Sequence, residues 1–383
     1  MSNIKPFNIS ISEEILNKIK KQVNDYPWHL MPDGLDWTYG TSKTYLKELC
    51  DYWTTTFDWR KSEQELNKFN QFTTSIDEMD IHFIHEKGIG ENPTPLLISH
   101  GWPGSISEFL KIIEPLTNPK KFGGISSESF DVIAPSLPGF GFSSAPKRPW
   151  GPRKMAGILN KLMTQSLGYN SYIAQGGDWG GAISSWLGYD YPEFCRAIHI
   201  NILTMRHPDP PETPAEIEWE KSFEIEQIME NGYRTQQATR PQSLGYAMMD
   251  SPVGIAAWII EKFNSWSDIE NNEIESVYTK NELLTNIMIY LVTGCFNSAS
   301  WIYYGRREEG GRILSPEGDR VEVPTGCALF PAELLSWPPR TYVEKLYNVK
   351  QWTEMPRGGH FAAMEEPQLL IEDIRAFKRK LTV

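Results

Sequence analysis

The heptapeptide Gln175-Gly176-Gly177-Asp178-Trp179-Gly180-Gly181 constrains this chain more than any other stretch. Tyr172-Ile173-Ala174 before it is short and apolar enough to end a buried strand, and Ala182-Ile183-Ser184-Ser185-Trp186-Leu187 after it can open a helix. Strand, glycine-flanked acid, helix is the layout of a nucleophile elbow, G-x-Nuc-x-G. Gly176 and Gly180 leave room for a sharp turn and close strand–helix packing. The helix N-terminus that follows favours the charge of Asp178. Taken alone, the stretch also fits an ordinary turn with a helix cap, so the rest of the chain has to decide.

Helical patterns come first: 11–24 with Ser12 as cap and Ile15, Ile19 and Val23 on one face, 42–55 opened by Thr41 or Ser42, and a short one at 62–69. They predict an N-terminal meander ahead of any strand. Strands are then predicted at 80–85, 95–99, 130–135, 172–174 and 197–201, with helices between most of them. That alternation argues for an α/β protein with a mostly parallel, doubly wound sheet. Ligands on such a sheet bind beyond the carboxyl ends of the strands. The glycine-rich loops His100-Gly101-Trp102-Pro103-Gly104-Ser105 and Pro138-Gly139-Phe140-Gly141 fall there. From His207 to about Gly311 the strand signal stops, after Pro208, Pro210, Pro211 and Pro214, and helical patterns at 215–231, 254–265 and 283–293 predict an inserted lid. Strands return at 325–330 and 348–353, and the chain ends in an amphipathic helix with Leu370, Ile374, Phe377 and Leu381 on one face. The division predicted is a meander at 1–75, a core at 76–205 and 312–383, and a lid at 206–311.

Two further motifs follow the returning strands: Phe330-Pro331-Ala332-Glu333 and Gly358-Gly359-His360-Phe361. Nucleophile, acid and histidine thus come in the order Asp178, Glu333, His360, which is the chain order of the α/β-hydrolase fold. A lone loop histidine is usually solvated; one in this order, after an elbow acid, reads as a catalytic base. A carboxylate nucleophile suits attack on a saturated carbon bearing an oxygen or halide leaving group. The resulting ester of Asp178 must be hydrolysed by water activated by His360, with Glu333 orienting it. The oxyanion then needs backbone donors, for which this fold offers the N–H groups of Trp102 and Trp179, whose rings would wall the pocket.

Together with Asp36-Trp37-Thr38-Tyr39-Gly40, Asp58-Trp59-Arg60, Asp250-Ser251-Pro252-Val253-Gly254 and Arg357-Gly358-Gly359-His360-Phe361-Ala362-Ala363, these motifs carry a family resemblance. The chain resembles, nearly end to end, the epoxide hydrolases of the microsomal and juvenile-hormone type, in the α/β-hydrolase superfamily. The resemblance implies cofactor-independent, metal-free hydrolysis of an epoxide to a vicinal diol, as in detoxification of xenobiotics. It selects two lid tyrosines as donors to the epoxide oxygen: Tyr233 in Glu230-Asn231-Gly232-Tyr233, and Tyr303, with Tyr304 as the alternative if the alignment slips by one. The expected partners are a small apolar epoxide and water, with no nucleic acid and no membrane anchor, and with a homodimer left open. One departure is the missing anchor of the microsomal enzyme. The other is Trp301-Ile302, where the family usually has an arginine and an apolar residue, which bears on the pocket wall.

Composition agrees with a soluble enzyme. A formal charge of −12 argues against nucleic acid or an anionic membrane as partner. Cys50, Cys195, Cys295 and Cys327 are scattered, with neither zinc spacing nor a disulfide framework, and are expected to be reduced in a cytoplasmic protein. His82 and His85 alternate on a strand without a third ligand, so no metal site is expected. Lys378-Arg379-Lys380 reads as a solvated helix face. Two rivals remain in other classes. A haloalkane dehalogenase shares the Asp nucleophile and would clamp a halide with indole or amide groups. A non-catalytic hydrolase-fold scaffold would lack a triad member, and none is lacking here.

Overall fold

Leu96-Leu97-Ile98 and Phe130–Ala134 have no consistently polar face, as strands covered on both sides require. In the computed structural model, which describes residues 4–32, 36–90 and 92–381, both lie at the centre of one sheet. Its strands are β1 (Lys5–Phe7), β2 (Gln71–Ile76), β3 (Met79–Glu86), β4 (Thr94–Ser99), β5 (Phe130–Pro135), β6 (Tyr172–Gly176), β7 (Cys195–Ile200), β8 (Val321–Leu329) and β9 (Tyr347–Glu354). They run in the order β1-β2-β3-β5-β4-β6-β7-β8-β9. From β5 to β9 the pairing is parallel; β1, β2 and β3 join one edge as an antiparallel extension. The parallel strands therefore present their carboxyl ends at one rim, where the loops after β4, β6, β8 and β9 converge.

The N-terminal segment departs from the predicted meander, because a strand precedes its helices and β2 runs across position 75 into the sheet. β2 pairs with β3 through the two-residue turn Asp77-Glu78, with both residues at positive φ, +49° and +66°. That is the backbone of a tight hairpin turn built without the glycine or asparagine that would have signalled it. The third helix spans Trp59–Leu66 rather than 62–69, because the Asp58 side chain accepts from Arg60 N and starts it earlier.

The segment's helices Glu13–Asn24, Lys43–Thr55 and Trp59–Leu66 lie against the lid. Thr41 donates to Ala257 O, and Ser62 and Thr285 share a hydrogen bond. Trp53 and Trp59 are buried. Deleting residues 1–75 would leave β3 an unpaired, apolar edge and strip the lid of cover. The expected product is insoluble; a soluble truncation of unchanged specific activity would contradict this packing.

The lid also has more helix than its sequence signals. Its first helix, Pro214–Thr239, runs past the predicted 231, and Pro241–Met248 and Phe296–Glu308 were not anticipated. The others are Pro252–Ser265 and Lys280–Thr293. Among the described residues no single helix is long and apolar enough to cross a membrane. At the C-terminus, Lys378 is buried and donates to Ser129 O at 2.7 Å, and Arg379 pairs with Glu128. The Lys378-Arg379-Lys380 run is thus not a wholly solvated face: Lys378 is tucked under the β4–β5 connection, while Arg379 reaches Glu128 from the surface.

Candidate active site

Asp178 opens the helix Asp178–Asp190 at φ +46°, a left-handed conformation that costs a non-glycine residue on the order of 1–3 kcal/mol. The neighbours allow nothing larger than glycine. A Cβ on Gly180 would come 1.8 Å from Ser99 O, and one on Gly101 would come 2.0 Å from Asp178 Oδ1. Strand β4 and the loop after it are thereby pressed onto the elbow. The Trp102 N–H donates to Asp178 Oδ1 at 2.7 Å. The Trp179 N–H lies in the first turn of the helix, where amides have no partner within the helix. The lid fastens the Trp102 loop, whose Trp102–Pro103 bond is cis: Asn286 Nδ2 donates to Pro103 O, and Tyr290 to Gly104 O.

The loops after β8 and β9 are pinned to each other by a bridge between Ala332 and Gly359. That sets Glu333 Oε1 2.7 Å from His360 Nδ1. His360 Nε2 lies 3.4 Å from Asp178 Oδ2, and the His360 N–H is anchored on Trp266 O. Burial opposes a charge on the imidazole, but Glu333 and Asp178 on either side outweigh it and hold its pKa well above the ordinary value.

Tyr233 on the first lid helix and Tyr303 on the last face each other, with ring centroids 5.7 Å apart, and both line a cavity of about 40 Å3 with Asp178. Trp102 stacks on Tyr233, and Trp179 meets Tyr303 edge-on. Burial, reinforced by the Asp178 charge, raises the pKa of both phenols, so they stay protonated donors. The Tyr303 hydroxyl is buried, with the Tyr233 hydroxyl and the Trp179 indole beside it. Tyr304 is not part of this cavity; nor are Trp301 and Ile302, so the expected effect of that departure on the wall does not arise there. Tyr233 also borders a larger cavity, of about 610 Å3, between the N-terminal segment and the lid.

One residue was missed in the sequence. Glu108 lies in a short 3-10 turn after the Trp102 loop, where it reads as an exposed acid. Its side chain instead folds back beside Gly104 and lines a second cavity, of about 20 Å3, with Asp178, His360, Gln175 and Asn201. Burial, with Asp178 nearby, pushes its carboxyl up to about 8 against the opposing pull of His360. That volume holds one water, and Gln175 Oε1, buried without a partner, gives it an acceptor. His82, by contrast, is a core residue bonded to Ser136 and Gln71. Among the described residues no group of His, Cys, Asp and Glu is arranged to hold a metal ion.

Residues 4–109 match the family model described as epoxide hydrolase N terminus, and residues 94–244 match the alpha/beta hydrolase fold. Epoxide hydrolase 1 of Sus scrofa is 38% identical over 403 residues, covering 98% of this chain and 88% of that protein. The chain belongs to the epoxide hydrolase family. Juvenile hormone epoxide hydrolase 2 of Ctenocephalides felis is 37% identical, covering 99% of this chain and 86% of its own. The crystal structure of juvenile hormone epoxide hydrolase from Bombyx mori superposes with a TM-score of 0.90 at 28% identity, covering 100% of this chain and 96% of that one. The α/β-hydrolase fold of this epoxide hydrolase is therefore that of its family.

Proposed function

We propose that this epoxide hydrolase opens a small epoxide in two steps through an ester on Asp178. Asp178 Oδ1 is already held by the Trp102 N–H, which leaves Oδ2 to attack the ring carbon. As the C–O bond breaks, charge grows on the epoxide oxygen, and Tyr233 or Tyr303 donates a proton to it. Esterification removes the Asp178 charge that helped hold the proton on His360, so its pKa falls and the imidazole can shed that proton to solvent and stand as a neutral base. It then takes a proton from water that attacks the Asp178 carbonyl carbon. Oδ1 becomes the oxyanion, stabilised by Trp102 N–H and, behind it, Trp179 N–H. Collapse releases the diol as Asp178 Oδ2 leaves with the product and takes the proton held by His360; the water's oxygen stays on Asp178, and its other proton together with one from solvent restores His360 and the tyrosine.

The observation that carries this reading is the pair of facing phenols, Tyr233 and Tyr303, buried in one cavity with Asp178. One observation favours the halide-displacing rival. The indole Nε1 of Trp102 is buried without a partner, and that of Trp179 lies beside the Tyr303 hydroxyl. Turnover of styrene-, terpene- and fatty-acid-type epoxides beside chlorinated and brominated alkanes separates the two; diol from the epoxides and no halide release is the expected outcome. The four cysteines are free and buried, which supports a reducing, cytoplasmic setting.

The small cavity suits the hydrolytic water, lying between His360 and Glu108 behind the ester carbon. Glu108→Gln keeps the shape and removes the ionisable carboxyl, so the comparison is made above pH 8, where the carboxylate is present. Ester formation should continue near its normal rate while ester hydrolysis slows roughly 10- to 100-fold. Single-turnover kinetics that show alkylation slowed and hydrolysis untouched would remove Glu108 from this role.

A further inference from the structure

The cavity shared by Asp178 and Tyr303 is lined on its other side by hydrogen-bond donors. Arg234, Arg306 and Arg312 all border it. Other arginines of the chain, such as Arg60, Arg153 and Arg357, each face a carboxylate. Among the described residues, none of these three lies within ion-pair distance of one. The only other acid bordering the cavity, Glu230, is taken up by Lys262 and the Trp266 indole.

The guanidiniums are also held in place. Arg306 donates through Nε to Gly311 O and through Nη2 to Thr204 O. Arg312 donates through Nε to Thr204 O and through Nη2 to Leu203 O. Arg234 uses Nε on Asn231. Each guanidinium has five N–H donors, so each retains donors beyond these bonds. Two neutral groups bordering the same space are buried without partners: the Gln227 Nε2 amide, in a side chain 8% exposed, and the Thr204 hydroxyl, in one 5% exposed. Burial, with the arginines' mutual repulsion added, lowers Arg306 to about 10 and holds Arg312 well below its ordinary value. In a chain of net charge −12, gathering unpaired cations and unfilled donors in one cavity costs stability unless an anion joins them.

We propose that the substrate of this enzyme is an epoxide bearing a carboxylate a few bonds from the ring, with the carboxylate held by Arg234, Arg306 and Arg312 while the ring lies between Asp178 and the tyrosines. The short arm follows from the cavity of about 40 Å3, which brings the arginines and Tyr303 to the same small space. The planar fork of arginine is matched to a carboxylate, and a charge-assisted pair is about twice as strong as a neutral one. This departs from the small apolar epoxide expected from the sequence, and it rests on the epoxide hydrolase reading.

The test compares kcat/KM for trans-2,3-epoxybutanoate and for the corresponding amide, which has the same shape without the charge, with styrene oxide as a neutral reference. The wild-type enzyme should prefer the acid at least about 10-fold, and the acid-to-amide ratio should fall roughly 10- to 100-fold in Arg306→Gln and in Arg234→Met. The ratio cancels any general loss of catalysis. Arg234 sits on the lid helix away from the Thr204 carbonyl, so Arg234→Met serves should Arg306→Gln fail to fold, as judged by far-UV circular dichroism. An amide turned over as well as the acid overturns the proposal, and so does a ratio unmoved in the folded variants. Turnover of styrene oxide without turnover of the acid overturns it too, while leaving the epoxide hydrolase reading intact. A wild-type enzyme inert on all three takes both down.

Discussion

In His360→Gln, ester should accumulate and persist. Glutamine can keep a hydrogen-bonding side chain in the loop, and the backbone N–H bond to Trp266 O does not depend on the side chain. It cannot deprotonate water. Loss of a positioned general base is worth roughly 10²- to 10⁴-fold, and here that loss falls on the second half-reaction, because Asp178 needs no base to attack a ring carbon. After mixing with an epoxide and acid quenching, intact mass should rise by the mass of the substrate, and digestion should place it on the peptide containing Asp178. An unmodified mass in a variant still shown to bind the epoxide would argue for direct attack of water on the ring, with no ester.

The double variant Tyr233→Phe with Tyr303→Phe should be nearly inactive in ester formation while remaining folded. Phenylalanine keeps the rings that stack on Trp102 and meet Trp179, so only the two hydroxyls are lost. Each donor strengthens as charge develops on the departing oxygen, and losing one should cost on the order of 10- to 1000-fold in alkylation rate. Either single variant should retain partial activity, since the two hydroxyls address one oxygen and the remaining phenol can still donate. The effect should not extend to halide displacement, which would rely on the Trp102 and Trp179 indoles. Single-turnover alkylation of the double variant at close to the wild-type rate would reduce the tyrosines to packing residues.

Short-range spacing in the sequence determined the reactive centre. An elbow needs glycines two residues either side of its nucleophile, whatever surrounds it, so Gly176, Asp178 and Gly180 announce it locally. The loops bearing Glu333 and His360 each follow a short apolar strand, and their order along the chain restricts how they can meet at one rim of a parallel sheet. The tertiary structure decided what depends on direction and on distant partners. Successive residues of a helix point about 100° apart, so a slip of one position separates Tyr303 in the cavity from Tyr304 outside it. Glu108 looks like any acid in a short turn until the loop folds it against Asp178 and His360. The β2–β3 hairpin was hidden because Glu78 stands at a positive-φ position where glycine would have signalled the turn begun by Asp77. The arginines come from three positions in the lid and its return, and Arg306 and Arg312 meet only because the carbonyls of Leu203 and Thr204 at the end of the sheet gather them. No local pattern encodes such a meeting, since it depends on how segments a hundred residues apart pack against the same few backbone oxygens.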